Sequence, residues 1–509
     1  MSKNFYVTTP IYYPSAKPHM GHAYSSIVAD FFARFKRNDG YSVQFLTGTD
    51  EHGLKIQRSA EKQGMQPKEF WNLISKTFKD LSKTLNLSNT DFIRTTEDRH
   101  IKSVQNLWSL LESNGQIYMS KYEGWYSVSD EAFYQEDEIE TKDNKKYSIS
   151  SGSPVEWVEE ESFFFKLSEW EKPLLKFYDD NPKFILPESR RNEVISFVKS
   201  GLKDLSVSRK TFSWGIKIPS NDEHIIYVWL DALTNYISAL NYPNTEDDLY
   251  KSFWPADIHI IGKDILRFHA VYWPAFLMAA KLQLPKRVYG HGWILSGEEK
   301  MSKSKGNILD PLEIIDVYGL DTLRYYLLKE VSFGNDGNIS QDKLESCINS
   351  DLANNYGNLC QRVLAFCEKN CGFKIPSHNF TEDDLKILKP FEDIDKLRNI
   401  IDNQDINQYM SFIIEMLFAS NKYFNDQEPW KKKNDKDRLN TIVYTALELI
   451  RKISILLNPV IPDTSLKVLN IFDISKDDFS FEQVKDHNFL KDGIVLKKLE
   501  ILFKKIDKW

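Results

Sequence analysis

Hydrophobic positions near the start of the chain change from a continuous run to a helical repeat and back again. Residues 5–8 form a short apolar, β-prone run that predicts a buried strand. Apolar residues at helical spacing then predict an amphipathic α-helix: Tyr24, Ile27, Val28, Phe31 and Phe35. Gly40 ends this repeat, and residues 43–46 predict the next strand. Strand, helix and strand in this order predict a βαβ unit and a parallel sheet.

The same pattern returns in the second half of the chain. Residues 225–229 and 258–261 predict two short strands, and residues 265–280 predict a helix. Residues 122–161, rich in acidic residues, Ser and Tyr, interrupt the pattern with short alternating segments and predict an inserted module. From about Ser340 the repeat is helical and predicts a bundle, with apolar residues recurring through 352–366, 409–424 and 442–457.

Composition narrows the class of protein. The net charge of −7 argues against a generally basic nucleic-acid coat, although a local basic patch can still bind RNA. All four cysteines lie between Cys347 and Cys371, which favours reduced thiols in a cytosol. The first residues lack the apolar region of a signal peptide, and the apolar stretch at 270–280 is too short to span a bilayer. We therefore expect a cytoplasmic protein that is not inserted in a membrane.

The first candidate motif is Pro-His-Met-Gly-His at residues 18–22, between the predicted strand and its helix. A helix N-terminus has free N–H groups and a positive dipole end, which suit a triphosphate. Gly21 allows close approach of a ligand, and His19 and His22 can reach the same phosphate. Taken alone, the segment favours a solvated loop with two chance histidines.

The second candidate motif is Lys-Met-Ser-Lys-Ser at residues 300–304. Its lysines and serines can stabilise phosphate oxygens as charge develops on a leaving pyrophosphate. A charged surface loop is the alternative explanation of such a run. The motif follows Gly-His-Gly-Trp at 290–293 and precedes the helical region, a position typical of a mobile loop at a domain hinge.

The two motifs together resemble those of the class I aminoacyl-tRNA synthetases. The second matches letter for letter, and the first departs only at Met20, where isoleucine is commonest. Further segments narrow the resemblance to the methionyl-tRNA synthetases over nearly the whole chain. They are Thr-Pro-Ile-Tyr-Tyr (9–13), Thr-Gly-Thr-Asp-Glu-His-Gly (47–53), Tyr-Val-Trp-Leu-Asp-Ala (227–232), Gly-Lys-Asp-Ile-Leu-Arg-Phe-His (262–269) and Trp-Pro-Ala (273–275).

The resemblance implies a set of binding residues. Asp50 is expected to bind the methionine ammonium group. The methionine side chain is expected to meet Tyr13, Trp229, Tyr236 and His269, with Ile11, Leu233 and Phe268 nearby. A thioether suits such walls, because sulfur contacts aromatic edges favourably and weakly accepts hydrogen bonds from hydroxyl or ring N–H groups. Each aromatic residue taken alone favours core packing, and Leu233 replaces a proline of some family members.

ATP residues follow from the same resemblance. Gly21, Asp264 and Gly292 are expected to contact ATP, with Asp264 on the ribose. The residues expected to bind the phosphates and act in catalysis are His19, His22, Lys300 and Lys303. ATP would enter as its Mg²⁺ complex. Many relatives have cysteine-based zinc knuckles in the inserted module, but this module has no cysteine, so no zinc is expected.

In the helical region, Asn-Asn-Tyr-Gly-Asn-Leu-Cys-Gln-Arg at 354–362 and Gln-Glu-Pro-Trp-Lys at 427–431 resemble the family's anticodon-binding segments. Asn358 and Arg362 are four residues apart and share one helix face. An Asn and an Arg can read a base edge while Trp430 stacks on a base. Taken alone, these residues favour a helix-surface pair and a buried tryptophan.

The implied organisation is an α/β Rossmann-type catalytic domain with an inserted connective module, followed by an all-α anticodon-binding bundle. We predict catalytic halves at 1–115 and 225–297, a zinc-free connective module and return at 116–224, the lysine–serine loop and stem-contact region at 298–345, and the anticodon-binding domain at 346–509. The chain ends without the additional C-terminal tRNA-binding domain of some relatives, so a monomer is expected.

The implied activity is ligation of L-methionine to tRNA(Met), including the initiator tRNA, with ATP as the energy source. The interval between Gly53 and Trp229 is too short for both a connective module and a large editing domain, which favours methionine over branched aliphatic substrates. Residual activation of homocysteine is expected. Two alternatives remain open: another class I synthetase, such as one for leucine or cysteine, and a catalytically inactive tRNA-binding paralogue.

Overall fold

The computed structural model describes residues 3–13, 18–130, 132–210, 212–296, 299–300, 310–475 and 480–506. The described chain divides into two compact units. The sheet unit comprises Asn4–Pro18 and Val43–His291, and the helical unit comprises Met1–Lys3, His19–Ser42 and Gly292–Trp509. The five functional domains expected from the sequence stay a prediction, because compactness does not define function.

The strands, in chain order, are β1 Asn4–Tyr12, β2 Ser42–Thr49, β3 Asp91–Arg94, β4 Ile117–Ser127, β5 Ala132–Tyr134, β6 Ile139–Lys142, β7 Lys145–Ser148, β8 Glu156–Phe165, β9 Ile185–Leu186, β10 Leu205–Ser206, β11 Ser208–Arg209, β12 Lys217–Ile218, β13 Asn221–Ile226, β14 Ile258–Gly262, β15 Val288–His291, β16 Ile294–Ser296, β17 Glu299–Lys300 and β18 Gly337–Ile339.

The α-helices are α1 Met20–Asn38, α2 Leu54–Lys62, α3 Pro67–Thr84, α4 Asp98–Ser113, α5 Glu171–Asp180, α6 Glu188–Lys199, α7 Val228–Ser238, α8 Asp248–Phe253, α9 Trp273–Ala279, α10 Pro311–Tyr318, α11 Leu320–Glu330, α12 Gln341–Cys347, α13 Asn358–Cys371, α14 Glu382–Leu388, α15 Ile394–Asp402, α16 Ile406–Asp426, α17 Lys436–Leu457, α18 Pro462–Leu469 and α19 Phe481–Lys485. Two π-helical segments occur at Phe268–Tyr272 and Ile348–Gly357.

The sheet unit is built on strands in the order β3-β2-β1-β14-β15-β9 among the described residues. The registered pairs β2–β3, β1–β14, β14–β15 and β15–β9 are parallel. Every residue of β2 after Ser42 is buried, and the middle of β1 is buried as well. A strand covered on both faces has a continuous apolar run. The predicted parallel α/β architecture is therefore confirmed.

The segment predicted as an inserted module is antiparallel. Strands β4 and β8 pair from Ile117 opposite Phe165 to Tyr126 opposite Glu156. Strands β10 and β5 flank this pair, and β6 and β7 form a separate hairpin. The short alternating segments in the sequence correspond to these strands, because one face of an antiparallel strand can remain in water.

The strand predicted at 225–229 is wrong in its second half. Strand β13 ends at Ile226 and pairs antiparallel with β11 and β12, outside the parallel sheet. Tyr227 is then the N-cap of α7, so Trp229 lies in the first turn of a helix. Nearly every residue of α7 is buried. A short apolar run buried on all sides does not distinguish a strand from a helix by periodicity.

The helical unit confirms the predicted bundle. Helices α16 and α17 cover the apolar repeats seen in the sequence, and α13 continues the π-helical segment Ile348–Gly357. Helix α1 belongs to this unit, and its Phe31 and Phe35 rings lie 5.5 and 5.6 Å from Tyr409 of α16. The apolar stripe of α1 therefore packs on the bundle.

Candidate active site

Helix α1 begins with two histidines that bind its own backbone. His19 is the N-cap, and its Nδ1 accepts a hydrogen bond from the Gly21 N–H at 3.1 Å. Nδ1 of His22 accepts one from the His19 N–H at 3.0 Å. The two side chains thus form a reciprocal capping box. A Cβ at residue 21 would lie 3.0 Å from Cε1 of His19, so a larger residue there would crowd the His19 ring.

This capping fixes the tautomers of both rings. Because Nδ1 accepts in each case, the neutral rings of His19 and His22 carry their proton on Nε2. The ring centroids lie 3.8 Å apart. Burial, with a contribution from His19, lowers the pKa of His22 well below its usual value. His22 is therefore a neutral N–H donor at the positive end of a helix, which suits a phosphate oxygen.

Helix α7 aligns three of the residues predicted for the methionine pocket. Trp229, Leu233 and Tyr236 follow at helical spacing on one face. The Trp229 ring stacks on Phe268, with centroids 3.7 Å apart and planes at 5°. Tyr236 Oη lies 2.7 Å from Nε2 of His269. The structure thus brings together the set that we call the aromatic wall: Trp229, Leu233, Tyr236, Phe268 and His269.

Hydrogen bonds define the protonation of the aromatic wall. Nδ1 of His269 lies 3.0 Å from the Ile265 carbonyl, which can only accept, so Nδ1 carries the proton. Nε2 then accepts from the Tyr236 hydroxyl. Burial lowers the pKa of His269 to about 4, so the ring is neutral at pH 7. Both ring nitrogens are used inside the protein, and a sulfur beside His269 would meet ring carbons rather than a ring N–H.

Strands of the parallel sheet support the aromatic wall from behind. The Tyr6 hydroxyl of β1 donates to the Tyr236 carbonyl at 2.8 Å. The Tyr236 ring lies 4.1 Å from His259 of β14, whose Nδ1 is 2.8 Å from Thr8 Oγ1 of β1. Burial lowers the pKa of His259 well below its usual value. Two adjacent strands thereby hold Tyr236 with uncharged partners.

Asp50 lies at the carboxyl ends of two neighbouring strands. It follows β2 directly, is 6% exposed, and its N–H donates to the Tyr12 carbonyl at 2.9 Å. Ile11 lies in β1 and Tyr13 follows it, both partly buried, with Lys55 Nζ 5.2 Å from the Tyr13 ring centre. Asp50, Ile11 and Tyr13 thus share this sheet edge, where ligands of open parallel sheets bind.

Asp264 and Gly292, the other residues predicted to contact ATP, lie in different surroundings. Asp264 is exposed in a short 3₁₀ turn after β14, and its Oδ1 would lie 2.6 Å from a Cβ at Gly262. Gly292 is buried, and a Cβ there would lie 2.2 Å from the Asn335 carbonyl carbon. The Asn335 backbone passes so close to residue 292 that only glycine fits there, whether or not ATP binds at this position.

The second motif lies mostly outside the described residues. Lys303 and the rest of residues 301–309 belong to that part, and the backbone of Lys300 is described in β17. There Lys300 is opposite Leu295 of β16, which in turn pairs in parallel with β18. The expected phosphate contacts of Lys300 and Lys303 stay predictions.

The predicted anticodon residues meet on one surface of the helical unit. Nη2 of Arg362 donates to Asn425 Oδ1 at 2.5 Å, and its guanidinium carbon lies 5.7 Å from the Phe424 ring centre. Phe424 is 6.4 Å from the Trp430 ring, which is 41% exposed. Asn358 is partly buried one helical turn before Arg362. We call Asn358, Arg362 and Trp430 the α13 surface.

A buried ion pair anchors the turn that carries Trp430. Arg438 binds both carboxylate oxygens of Asp384, at 2.6 and 3.0 Å, and donates to Gln427 Oε1 at 2.6 Å. The Tyr423 hydroxyl also donates to Asp384. Burial alone would raise the pKa of Asp384, but these hydrogen bonds outweigh it and hold the pKa below its usual value. These contacts hold in place the turn from which the exposed Trp430 side chain extends.

Two family profiles match this chain. The family described as tRNA synthetases class I (M) covers residues 5–364, and the anticodon binding domain of methionyl tRNA ligase covers residues 378–508. The chain belongs to the methionyl-tRNA synthetases. Its membership extends through both units, because the two matches leave only residues 365–377 uncovered between them.

Individual methionyl-tRNA synthetases resemble the chain over its full length. The methionine–tRNA ligase of Brucella suis is 49% identical over 486 residues, which cover 95% of this chain and 94% of the relative. That of Rickettsia felis is 47% identical over 515 residues and covers 100% and 99%. The solved structure of Mycobacterium tuberculosis methionyl-tRNA synthetase in complex with methionyl-adenylate superposes with a TM-score of 0.96 at 43% identity, covering 98% and 99%.

One buried cluster of titratable side chains in this methionyl-tRNA synthetase was not predicted from the sequence. Asp231 Oδ2 lies 2.7 Å from His52 Nδ1, and its Oδ1 lies 2.8 Å from His100 Nε2. Burial alone would raise the pKa of Asp231, but both histidines outweigh it and lower the pKa. The cluster joins the loop after β2 to α4 and α7. No local pattern marks residues so far apart in the chain.

Glu51 was also not predicted as a site residue. It is fully buried beside Asp50 and accepts hydrogen bonds from Thr49 at 2.7 Å, Arg94 at 2.8 Å and Thr96 at 2.5 Å. A buried carboxylate is stable only with such partners. Its place next to Asp50 was the available signal, and it fixes the backbone that carries Asp50.

The described residues contain neither a cluster of metal ligands nor a helix that could span a membrane. Within them, no three His, Cys, Asp or Glu side chains cluster in a way that could hold a metal ion. The expectation of a zinc-free module continues to rest on the lack of cysteine before residue 347. No helix in the described part of the chain is both long and apolar enough to cross a bilayer.

Proposed function

We propose that the chain activates L-methionine with ATP and transfers it to the 3′ end of tRNA(Met), including the initiator tRNA. In the first step a methionine carboxylate oxygen bonds to the α-phosphorus of ATP, and pyrophosphate leaves. In the second, the 2′-hydroxyl of the terminal adenosine attacks the methionyl carbonyl carbon, and AMP and a proton are released. Family membership across both units is the observation that carries this proposal.

The aromatic wall is proposed to bind the methionine side chain. Its members are uncharged, because His269 is neutral and the Tyr236 hydroxyl donates to it. A polarizable thioether is favourable against aromatic surfaces of this kind. Ile11 and Tyr13 extend the pocket from β1, and the carboxylate of Asp50 binds the ammonium group of methionine.

The phosphates are proposed to lie against the start of α1. Neutral His19 and His22 donate Nε2–H groups, and Lys300 and Lys303 supply positive charge as the pyrophosphate leaves. Gly21 and Gly292 contact ATP through the backbone, and Asp264 binds its ribose. Mg²⁺ enters with ATP as part of the substrate complex, and no zinc takes part.

Catalysis then requires no covalent intermediate on a side chain. The chain orients carboxylate and triphosphate and stabilises phosphate charge, which are the main contributions in phosphoryl chemistry. For tRNA selection, Asn358 and Arg362 read the anticodon base edges and Trp430 stacks on a base. We propose that the enzyme acts as a cytoplasmic monomer.

ATP–pyrophosphate exchange with each of the twenty amino acids tests the activation step. Methionine is expected to support exchange far above the others, with homocysteine, assayed in addition, as a weak substrate. Charging of tRNA(Met) then tests transfer. Exchange driven by leucine or cysteine would overturn the substrate assignment. Binding of tRNA(Met) without any exchange would instead identify an inactive tRNA-binding paralogue.

A further inference from the structure

The antiparallel module carries a concentration of negative charge that the rest of the chain lacks. Residues 117–165 contain twelve Asp and Glu, four Lys and no Arg, whereas the whole chain has a net charge of −7. The remainder of the chain is therefore nearly neutral. A field of this sign repels a nucleic-acid backbone and attracts a basic partner.

Trp125 of β4 shows how this module holds a cation. Its indole N–H donates to Glu136 Oε2 at 2.5 Å. Lys146 Nζ donates to the other oxygen of Glu136 at 2.6 Å and lies 4.2 Å from the centre of the Trp125 ring. The ammonium group is thus bound by a carboxylate and an aromatic face at once. Here the chain supplies its own lysine.

Trp157 of β8 repeats this arrangement without a lysine. It is directly opposite Trp125, with ring centroids 5.1 Å apart. Its indole N–H donates to Glu159 Oε1 at 3.0 Å. The side chain is 48% exposed, and no Lys or Arg of the described residues lies over its ring. The tryptophan and carboxylate are therefore present without a cation from the described part of the chain.

A second carboxylate strengthens this second position. Glu123 of β4 lies directly opposite Glu159 of β8, and both side chains are exposed. Like charges directly opposite on paired strands destabilise the pair. A cationic group seated between Trp157 and these carboxylates would remove that repulsion.

The backbone beside Trp157 is also available for pairing. Strand β10 pairs with β8 only at Phe164 and Phe165. Among the described residues, no strand pairs with residues 157–161 on the side away from β4. An open strand edge is a template for an added strand.

We propose that residues 157–161 of β8 bind an extended segment of a basic protein partner. The segment adds a strand to the open edge, and a lysine or arginine side chain of the segment lies over Trp157 between Glu123 and Glu159. Alternate residues of a strand share one face, so a segment with a basic residue at every second position fits best.

Binding of a fluorescent ten-residue peptide of alternating Lys and Thr to the full chain tests this proposal. Fluorescence anisotropy is expected to give saturable binding that weakens with salt. Trp157→Ala should raise Kd about tenfold, and Trp157→Phe should raise it less, because a phenyl ring keeps a weaker cation–π contact. Glu159→Gln should raise Kd about fivefold by removing one carboxylate charge.

Asp143→Asn is the charge-matched control. Asp143 is exposed at the turn between β6 and β7 with φ of 48°, a conformation that asparagine also adopts. It removes the same charge from the module and should leave Kd unchanged. Equal weakening by Asp143→Asn, absence of peptide binding, or competition by a single-stranded RNA would each overturn the proposal. Unchanged melting temperatures establish that the variants fold.

Discussion

The aromatic wall and the α13 surface are built by opposite structural means. In the wall, Tyr236 and His269 are almost fully buried, and each uses its polar atoms on a neighbouring protein group. On the α13 surface, Trp430 presents 41% of its area to solvent, and the supporting ion pair of Arg438 and Asp384 lies behind it.

This difference indicates at which site ligand binding can be changed without changing the stability of the fold. A buried wall is preorganised by the same contacts that stabilise the sheet unit, so a substitution there changes stability and methionine affinity together. Trp430, in contrast, is exposed, and the ion pair that supports its turn is formed by other residues. Substitution of Trp430 should therefore change tRNA binding alone.

The largest expected effect concerns the cluster behind the wall. Asp231→Ala leaves His52 and His100 without their shared carboxylate and should lower the free energy of unfolding by about 3–5 kcal/mol. Urea denaturation measures the loss. Asp231→Asn, which keeps the size and one acceptor oxygen, should lose less. If Asp231→Ala were as stable as the parent, the wall would not depend on this cluster.

Lys303→Ala should affect neither region but slow the chemistry. Loss of one group that stabilises charge on pyrophosphate is expected to lower the rate of adenylate formation about 10²–10³-fold. Stopped-flow or exchange kinetics measure this rate, and equilibrium titration should give an unchanged Kd for methionine. An unchanged rate would remove the phosphate role of Lys303.

Trp430→Ala tests the separability of the α13 surface directly. Loss of one stacked base is expected to cost about 1–3 kcal/mol of tRNA binding, seen as a higher KM for tRNA(Met) in aminoacylation. Methionine-dependent pyrophosphate exchange should be unchanged. Trp157→Ala, which removes another exposed tryptophan, should charge tRNA(Met) normally. Normal charging by Trp430→Ala would refute the anticodon assignment.

Lowering the pH should reduce the free energy of unfolding gradually. Burial holds the pKa of His269 at about 4, against 6.5 for the free side chain. The unfolded chain therefore binds the extra proton first as pH falls. Between pH 6.5 and about 4, this residue should lower the free energy of unfolding by about 1.4 kcal/mol per pH unit. Urea denaturation of the parent and of His269→Phe should show a steeper loss in the parent, and parallel curves would contradict the assignment.

Local patterns in the sequence were sufficient for much of the fold. The helical repeat from Tyr24 to Phe35 and the apolar runs of β1 and β2 predicted the parallel sheet unit, because periodicity reports which faces are buried. Trp229 was assigned to a strand because residues 225–229 form a short apolar run, and periodicity does not distinguish such a run from the start of a buried helix. Its correct place in a helix explains why Leu233 and Tyr236 share its face.

Long-range packing was not readable from the same patterns. The His52, Asp231 and His100 cluster depends on three segments meeting in space, and nothing local predicts that meeting. Gly292 was assigned to ATP by resemblance, yet the passage of the Asn335 backbone already requires a glycine there. Roles of single residues at the site thus need three-dimensional neighbours, whereas most element types do not.

The crossing at Gly292 holds the strands that lead to Lys300. Next to that crossing, the Trp293 N–H donates to Asp336 Oδ1 at 2.8 Å, and the Gly337 N–H donates to the Trp293 carbonyl at 2.8 Å. The strand leading to Lys300 is thereby fastened to β18. A larger residue at position 292 would push against the Asn335 backbone and, through β16, would displace the strand that contains Lys300.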